Sequence, residues 1–163
     1  MRVAGAFADF VVVPEQSLLS VPDNMDVAHA SLTEPTAVSL HSVLLAERVL
    51  HRPVSEARTL VIGAGAIGVL AALILQSKGC NDVYIGDTGE LRRKTAVQNG
   101  FGHVYDPLTN EPEAGSFDLV IDAVGSGRTR EASSRLAKAG GVICHIGLQD
   151  DATGLDTRRR CRK

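Results

Sequence analysis

Tryptophan is absent, and aromatic residues make up only 4% of the chain, so any core must be built from small aliphatic side chains. The three cysteines, Cys80, Cys144 and Cys161, are scattered and form no C-x-x-C. That spacing argues against a zinc ribbon or a disulfide framework and implies free thiols. Long hydrophobic runs are missing too. The longest, Ala64 to Leu75, carries no charge but is broken by glycine and too short to cross a bilayer. The N-terminal stretch MRVAGAFADF lacks the apolar segment of a secretory signal, so a cytoplasmic location with no membrane partner is the expectation. Positive charge is sparse outside the last six residues, RRRCRK; the net charge is −2, and residues 1–157 alone carry −7. An acidic body of that kind does not invite nucleic acid, and the basic end reads as a solvated tail. What remains, 44% hydrophobic and 22% charged over 163 residues, is ordinary for about one soluble domain.

The chain is organised around residues 59–87. Thr59 to Ile62 is a short apolar, β-prone run, followed by Gly63, Gly65 and Gly68 in a G-x-G-x-x-G pattern and an apolar helical run from Ile67 to Leu75. In a dinucleotide-binding turn the first glycine permits the tight turn, the second lets a pyrophosphate approach the backbone, and the third lets helix and strand pack closely. The helix N-terminus offers free N–H groups and the positive dipole end to the phosphates. A second strand, Asp82 to Gly86, ends at Asp87, 19 residues after Gly68. An acidic residue at about that distance binds the ribose hydroxyls of NAD and disfavours the 2′-phosphate of NADP. Arg92 and Arg93, a helical turn further on, could soften that preference or be solvated charges.

Before this stretch, Ala6 to Val13 and Ser17 to Val21 read as strands, and Val27 to Leu50 as helical, with Pro35 opening a new helix and Thr33 or Glu34 near its N-cap. After it, the pattern gives a helix from Glu90 to Asn99, a strand from His103 to Tyr105, a polar loop over Asp106 to Ser116, and a strand from Phe117 to Val124. A helix from Arg130 to Ala139 and a fifth strand from Val142 to Ile146 complete the series. Strands alternating with helices predict an α/β Rossmann-type, doubly wound parallel sheet of about five strands, the usual sixth being missing.

Several of these motifs, in this order, resemble the zinc-type medium-chain alcohol and polyol (sorbitol-like) dehydrogenases up to about Asp156. GAFADFVVVPE is similar to the strand after that family's zinc lobe, and VPDNMDVAHASLTEPTAVSLHSV to its linker helix with a Glu-Pro pair. VIGAGAIGVLAALILQSKGC is similar to its coenzyme loop, GDTGELRRKTAVQNG to its ribose-binding turn, and FDLVIDAVGSGRTREASSRLAKAGGVICHIGL to its segment beside the nicotinamide. The resemblance implies a C-terminal remnant of a GroES-like catalytic domain over residues 1–35, an incomplete NAD-binding domain over 36–157, and a basic tail over 158–163. It further implies that Gly63, Gly65, Ala66, Ile67 and Gly68 line the pyrophosphate, while Asp87 and Arg92 attend the adenosine ribose. Val124 and Gly125 would lie on the adenine or nicotinamide side, and Ile146, Gly147 and Leu148 near the carboxamide. Glu34 would be a ligand of the catalytic zinc or lie close to it. Its other reading is a carboxylate held by the helix dipole.

His41 also matches a family position, but a lone histidine amid apolar residues reads as a packed core residue; His29, His51, His103 and His145 show no ligand spacing and read as structural. The family's remaining zinc ligands, a Cys and a His-Glu pair, have no counterpart, so one candidate ligand cannot hold the metal. The chain therefore reads as a fragment of an NAD(H)- and zinc-dependent oxidoreductase acting on a small secondary alcohol or polyol. A non-catalytic NAD(H)-binding module and a non-functional remnant stay open beside it. The family forms homo-oligomers; the state of this chain is left open.

Overall fold

The computed structural model describes residues 6–150. The expectations for the basic tail and Cys161 lie outside the described residues. The chain divides into two compact units between Thr33 and Glu34.

In the N-terminal unit the two expected strands do not form. Residues 6–21 are irregular apart from a single 3₁₀ turn, Glu15–Ser17. The backbone is extended at Pro14 and Leu18, as the β-prone composition requires. A strand, however, is completed only by a ladder partner, and among the described residues no ladder includes this segment. Phe7, Phe10, Val12 and Leu19 are accordingly exposed. A one-turn helix, α1 (Val27–Ala30), closes the unit; the Ser31 and Thr33 hydroxyls donate to its carbonyls at Ala28 and Ala30, both at 2.7 Å.

The larger unit opens with helix α2 (Thr33–Val49). The helical break falls at Ser31–Leu32, two residues earlier than Pro35 suggested, so Thr33 and Glu34 stand in the first turn rather than capping it. Pro35 is tolerated there because its missing N–H has no helical partner in a first turn. Strands β1 (Thr59–Ile62), β2 (Val83–Gly86), β3 (His103–Tyr105), β4 (Phe117–Asp122) and β5 (Ala137–His145) form one parallel sheet in the order β3-β2-β1-β4-β5. Helices α3 (Ala66–Ser77), α4 (Glu90–Gln98) and α5 (Gly127–Leu136) connect them. The doubly wound parallel sheet of five strands is therefore as the sequence pattern predicted.

The core has two layers. On one face Val61, Val83, Ile85, Leu119 and Ile121 pack with Val43 and Ala46 of α2, Ala71, Ala72 and Leu75 of α3 and Ala96 of α4. On the other, Leu60, Ile62, Phe117 and Val120 pack with Leu136 and Ala132 of α5. Central strands β1 and β4 are buried at every residue, which is why their sequences read as continuous apolar runs rather than alternating ones. Arg58 covers the rim of the second layer, its guanidinium 4.7 Å from the Tyr84 ring centre and 5.2 Å from that of Phe117.

Around β4 and β5 the boundaries differ from the expected ones. Strand β4 stops at Asp122 rather than Val124, because the Asp122 carboxylate takes the Val124 and Gly125 amides and turns the chain. Helix α5 starts three residues early, on a capping box in which the Ser126 and Thr129 side chains reciprocally bond each other's backbone N–H. It also ends three residues early. Ala137 pairs with Phe117, and the register then jumps to Leu119↔Val142, leaving Lys138 to Gly141 as a bulge with Gly140 at φ +79°. Pairing with β4 overrides the helical preference of Ala137 and Lys138.

Leu119 is fully buried in the sheet whereas Leu91 on α4 is 78% exposed. Leu119→Ala is expected to lower unfolding free energy by about 2–5 kcal/mol, and Leu91→Ala to stay within about 0.5 kcal/mol, both measured by urea denaturation.

Candidate functional site: the carboxyl edge of the sheet

The register of the four parallel pairings places Tyr105, Gly86, Ile62, Asp122 and His145 in one row, at the carboxyl ends of β3, β2, β1, β4 and β5. The next residues extend the ladder by single hydrogen bonds. Gly63 N donates to Gly86 O at 2.7 Å, Asp87 N to Tyr105 O at 3.2 Å, Ala123 N to Ile62 O at 2.9 Å and Ile146 N to Asp122 O at 2.9 Å. The loops that leave this row, with the first turns of α3 and α4 that follow them, carry every residue expected at the coenzyme. Between β1 and β4 the strand order reverses, and in open α/β sheets ligands bind in the crevice at such a point.

Gly63 leaves β1 at φ +99°, a conformation that L side chains rarely adopt, and a Cβ there would lie 2.7 Å from Val124 Cγ2. A Cβ on Gly68 would stand 1.8 Å from Gly63 O, so α3 can seat against the turn only with glycine at 68. Gly65 is different. Its N-cap backbone is extended, no side chain caps α3, and nothing lies within 4 Å of a Cβ built on it. Gly65 and Ala66 are exposed and Ile67 is half-buried, so the start of α3 faces open space with its first amides uncapped. Ser39 of α2 braces this turn, its hydroxyl 2.9 Å from Pro35 O and 3.0 Å from Ile67 O.

Asp87 is 6% exposed and spans the neighbouring loops. Oδ2 accepts Ala64 N at 2.8 Å and Oδ1 accepts Gly89 N at 2.6 Å, leaving each oxygen a further lone pair. Arg92 Nη1 lies 3.7 Å from Oδ1 on an exposed side chain. Arg93 is turned elsewhere: it donates to Asp87 O at 2.8 Å and pairs with Asp106 at 3.1 Å, so it is a structural tie rather than a free charge.

On the other side of the reversal, Gly125 and Gly147 touch. A Cβ on Gly125 would stand 1.8 Å from Gly147 O. Val124 and Ile146 are half-buried around this contact, and Leu148 is 90% exposed. The loops are bound to each other through Gln149 N to Val124 O at 3.1 Å and Asp150 N to Gly125 O at 3.2 Å.

Sequence reasoning missed the group that ties these loops to the sheet. Asp122, wholly buried, accepts Gly125 N at 2.9 Å, Val124 N at 3.1 Å, Thr129 Oγ1 at 3.2 Å and His145 Nδ1 at 3.0 Å. Burial pushes its carboxyl up, but His145, the two amides and Thr129 more than offset this and hold it below the usual carboxylate range. One signal was available: a lone Asp closing an apolar strand and a lone His in the next strand, both at carboxyl ends.

The zinc expectation fares differently. Glu34 is exposed in the first turn of α2, and among the described residues no three His, Cys, Asp or Glu side chains gather into a metal-holding group. A catalytic zinc takes about three protein ligands, so these residues do not fit the metal. His41, expected in the core, is exposed on α2. His29 lies 3.5 Å from Asp26, His51 is 2.5 Å from Gly140 O, and His103 stacks on Tyr84 with ring centres 4.4 Å apart.

Sheet order, glycine turn and acidic strand end together define a doubly wound nucleotide-binding fold. Comparison with known proteins places it further: the family model "Glucose dehydrogenase C-terminus" matches residues 27–159, and the chain belongs to that family. L-Threonine 3-dehydrogenase of Thermococcus kodakarensis is 25% identical over 152 residues, covering 88% of this chain and 42% of the relative. Sorbitol dehydrogenase of Arabidopsis thaliana is 27% identical over 158 residues, covering 90% and 42%. A solved structure from Sinorhizobium meliloti 1021, described as a zinc-binding dehydrogenase bound to NADP, superposes with a TM-score of 0.76 at 25% identity, over 91% of this chain and 45% of that one. The chain thus spans less than half the length of these relatives, and its resemblance to the zinc-type alcohol and polyol dehydrogenases holds.

Two outcomes follow. Gly68→Ala is expected to cost about 3 kcal/mol or more in a urea titration, because backbone rather than a flexible side chain must move. For Asp122, a lowered folded pKa means stability present above the unfolded carboxylate value of about 4 and lost as pH falls through the folded value. The acid limb of a stability–pH profile is therefore expected to be shallower in Asp122→Asn than in the wild type.

Proposed function

We propose that this chain is the coenzyme-binding part of an NAD(H)-dependent oxidoreductase of the zinc-containing alcohol and polyol dehydrogenase type, which oxidises a small secondary alcohol by hydride transfer to nicotinamide. One observation carries the reading: the uncapped start of α3 at Gly65 opens to free space beside the Asp87 carboxylate, at the reversal of strand order. Uncapped amides and a helix dipole suit a pyrophosphate, and a carboxylate with spare lone pairs suits a ribose diol. The glycine cradle therefore fits a dinucleotide, and family membership supports it.

When bound, the nicotinamide supplies the hydride chemistry. The chain's own residues bind and orient it. Gly63, Gly65, Ala66, Ile67 and Gly68 form the phosphate turn, Asp87 takes the ribose, and Arg92 flanks it. Val124, Gly125, Ile146, Gly147 and Leu148 form the wall beyond the strand reversal. Zinc belongs to the chemistry of the whole enzyme type; Glu34 would be the residue nearest to it. The domain division at about residue 35, with a GroES-like remnant before it, belongs to the same reading.

A second reading, a non-catalytic NAD(H)-binding module, is favoured by the donor set, since Glu34 has no company of ligands among the described residues. No described helix is long and apolar enough to span a membrane.

Titration of the 163-residue chain by calorimetry is expected to give saturable NADH binding, at least about tenfold tighter than NADPH because Asp87 repels a 2′-phosphate. Asp87→Ala is expected to weaken NADH about tenfold or more and to narrow the gap to NADPH, a change that general loosening of the loop does not produce. No saturable binding by a folded chain overturns the reading. The pure chain is also expected to show no substantial turnover, and measurable zinc-dependent dehydrogenase activity would falsify that expectation.

A further inference from the structure

All four polar groups of Asp87 are engaged. Its carboxylate takes Ala64 N at 2.8 Å and Gly89 N at 2.6 Å, and its own amide donates to Tyr105 O at 3.2 Å. The fourth group, its backbone carbonyl, accepts from a side chain, Arg93 Nη1, at 2.8 Å. The same nitrogen lies 3.1 Å from Oδ2 of Asp106, the residue after β3. Both side chains of this pair are only 22% exposed. Asp106 is itself anchored: its Oδ1 accepts Leu108 N at 2.9 Å and its carbonyl accepts Asn110 N at 2.9 Å. One guanidinium on α4 thus fastens the loop after β2 to the loop after β3. On the other core layer the Tyr105 ring lies against Gly86, where a Cβ would stand 2.6 Å from Cζ.

A carboxylate that takes a ribose diol binds well only if it is already in place, because ordering it on binding would cost affinity. The two amides fix the carboxylate relative to the neighbouring turns, but they cannot hold the peptide that follows Asp87. Arg93 does that. We propose that Arg93 is a positioning residue for ribose recognition, acting on the coenzyme through Asp87 by tying the Asp87 carbonyl to Asp106. The inference rests on the coenzyme reading given above.

Its neighbours on α4 are placed differently. Arg92 is 66% exposed and approaches the Asp87 carboxylate itself, at 3.7 Å from Oδ1. Lys94 is 63% exposed and pairs with Glu90, one turn back, at 2.7 Å. Adjacent helical positions do not share a face. Arg93 alone of these three basic residues bonds the backbone of Asp87.

The first test needs no coenzyme. In Arg93→Met, amide exchange followed by NMR is expected to speed up at least about threefold at Ala64 and Gly89, the two donors to the Asp87 carboxylate, with Val61 in the middle of β1 unchanged. Unchanged exchange at Ala64 and Gly89, or an equal rise at Val61, overturns the proposal.

The second test is calorimetric titration of the full chain with NADH. Arg93→Met is expected to weaken binding about five- to tenfold, the size of a hydrogen bond to a charged group. In an Asp87→Ala background the same substitution is expected to change binding less than about twofold, since residues that act through one another are not additive. Lys94→Met, which removes the same charge from the same helix, is expected to leave NADH binding within about twofold of the wild type. Equal loss in both backgrounds, no loss in either, or an equal loss in Lys94→Met each overturns the proposal and leaves the coenzyme reading standing. Should Arg93→Met not fold, Arg93→Lys takes its place: it keeps the charge but lacks the planar fork, and its smaller loss is likewise expected to vanish with Asp87→Ala. A folded wild-type chain that binds no NADH overturns the coenzyme reading and, with it, the ribose role of Arg93.

Discussion

Parallel register is the constraint on which the site depends. Because β2 and β4 both pair in step with β1, and β3 and β5 pair with them in turn, five strand ends arrive in one row. Each loop then starts from the same line, and its chemistry is decided by its first two or three residues. A slip of one residue in β4 would exchange the fully buried Val120 and Ile121 between core layers and take Asp122 out of reach of His145. The apolar content of β1 and β4 therefore serves position as much as stability.

Much of this was legible in sequence because it rests on short-range rules. Strand β3 and the span of β1 were read to the residue, and the order of strands and helices from 59 to 145 followed from the alternation of apolar runs with glycine punctuation. Errors gathered where a partner distant in sequence decides the outcome. The bulged start of β5 is drawn out of a helical pattern by Phe117 and Leu119, about twenty residues earlier. The opening strands at 6–13 and 17–21 had the composition of strands, yet composition cannot supply a ladder.

The site divides in the same way. Gly63, Gly68 and Asp87 could be found because a backbone shape demands those residue types at fixed spacing. Asp122 and His145 could not be paired from sequence, since their meeting depends on register between residues 23 positions apart rather than on a motif. Glu34 illustrates the converse. A recognisable Glu-Pro pair puts a carboxylate in a first helical turn, but a metal needs several donors converging in space, and no local pattern guarantees that.

The bulge in β5 bears on the behaviour of the chain in concentrated solution. Among the described residues β5 is one margin of the sheet, and an unpaired margin is a template for recruiting further strands. Lys138 to Gly141 break the regular repeat of that margin. Lys138 is tied back to Asp118 at 3.0 Å, and His51 reaches Gly140 O. A second chain docking there would find only the short regular stretch from Val142 to His145 to add to. The same irregularity that misled the reading of the helix boundary thus shortens the part of this margin that edge-to-edge pairing could use.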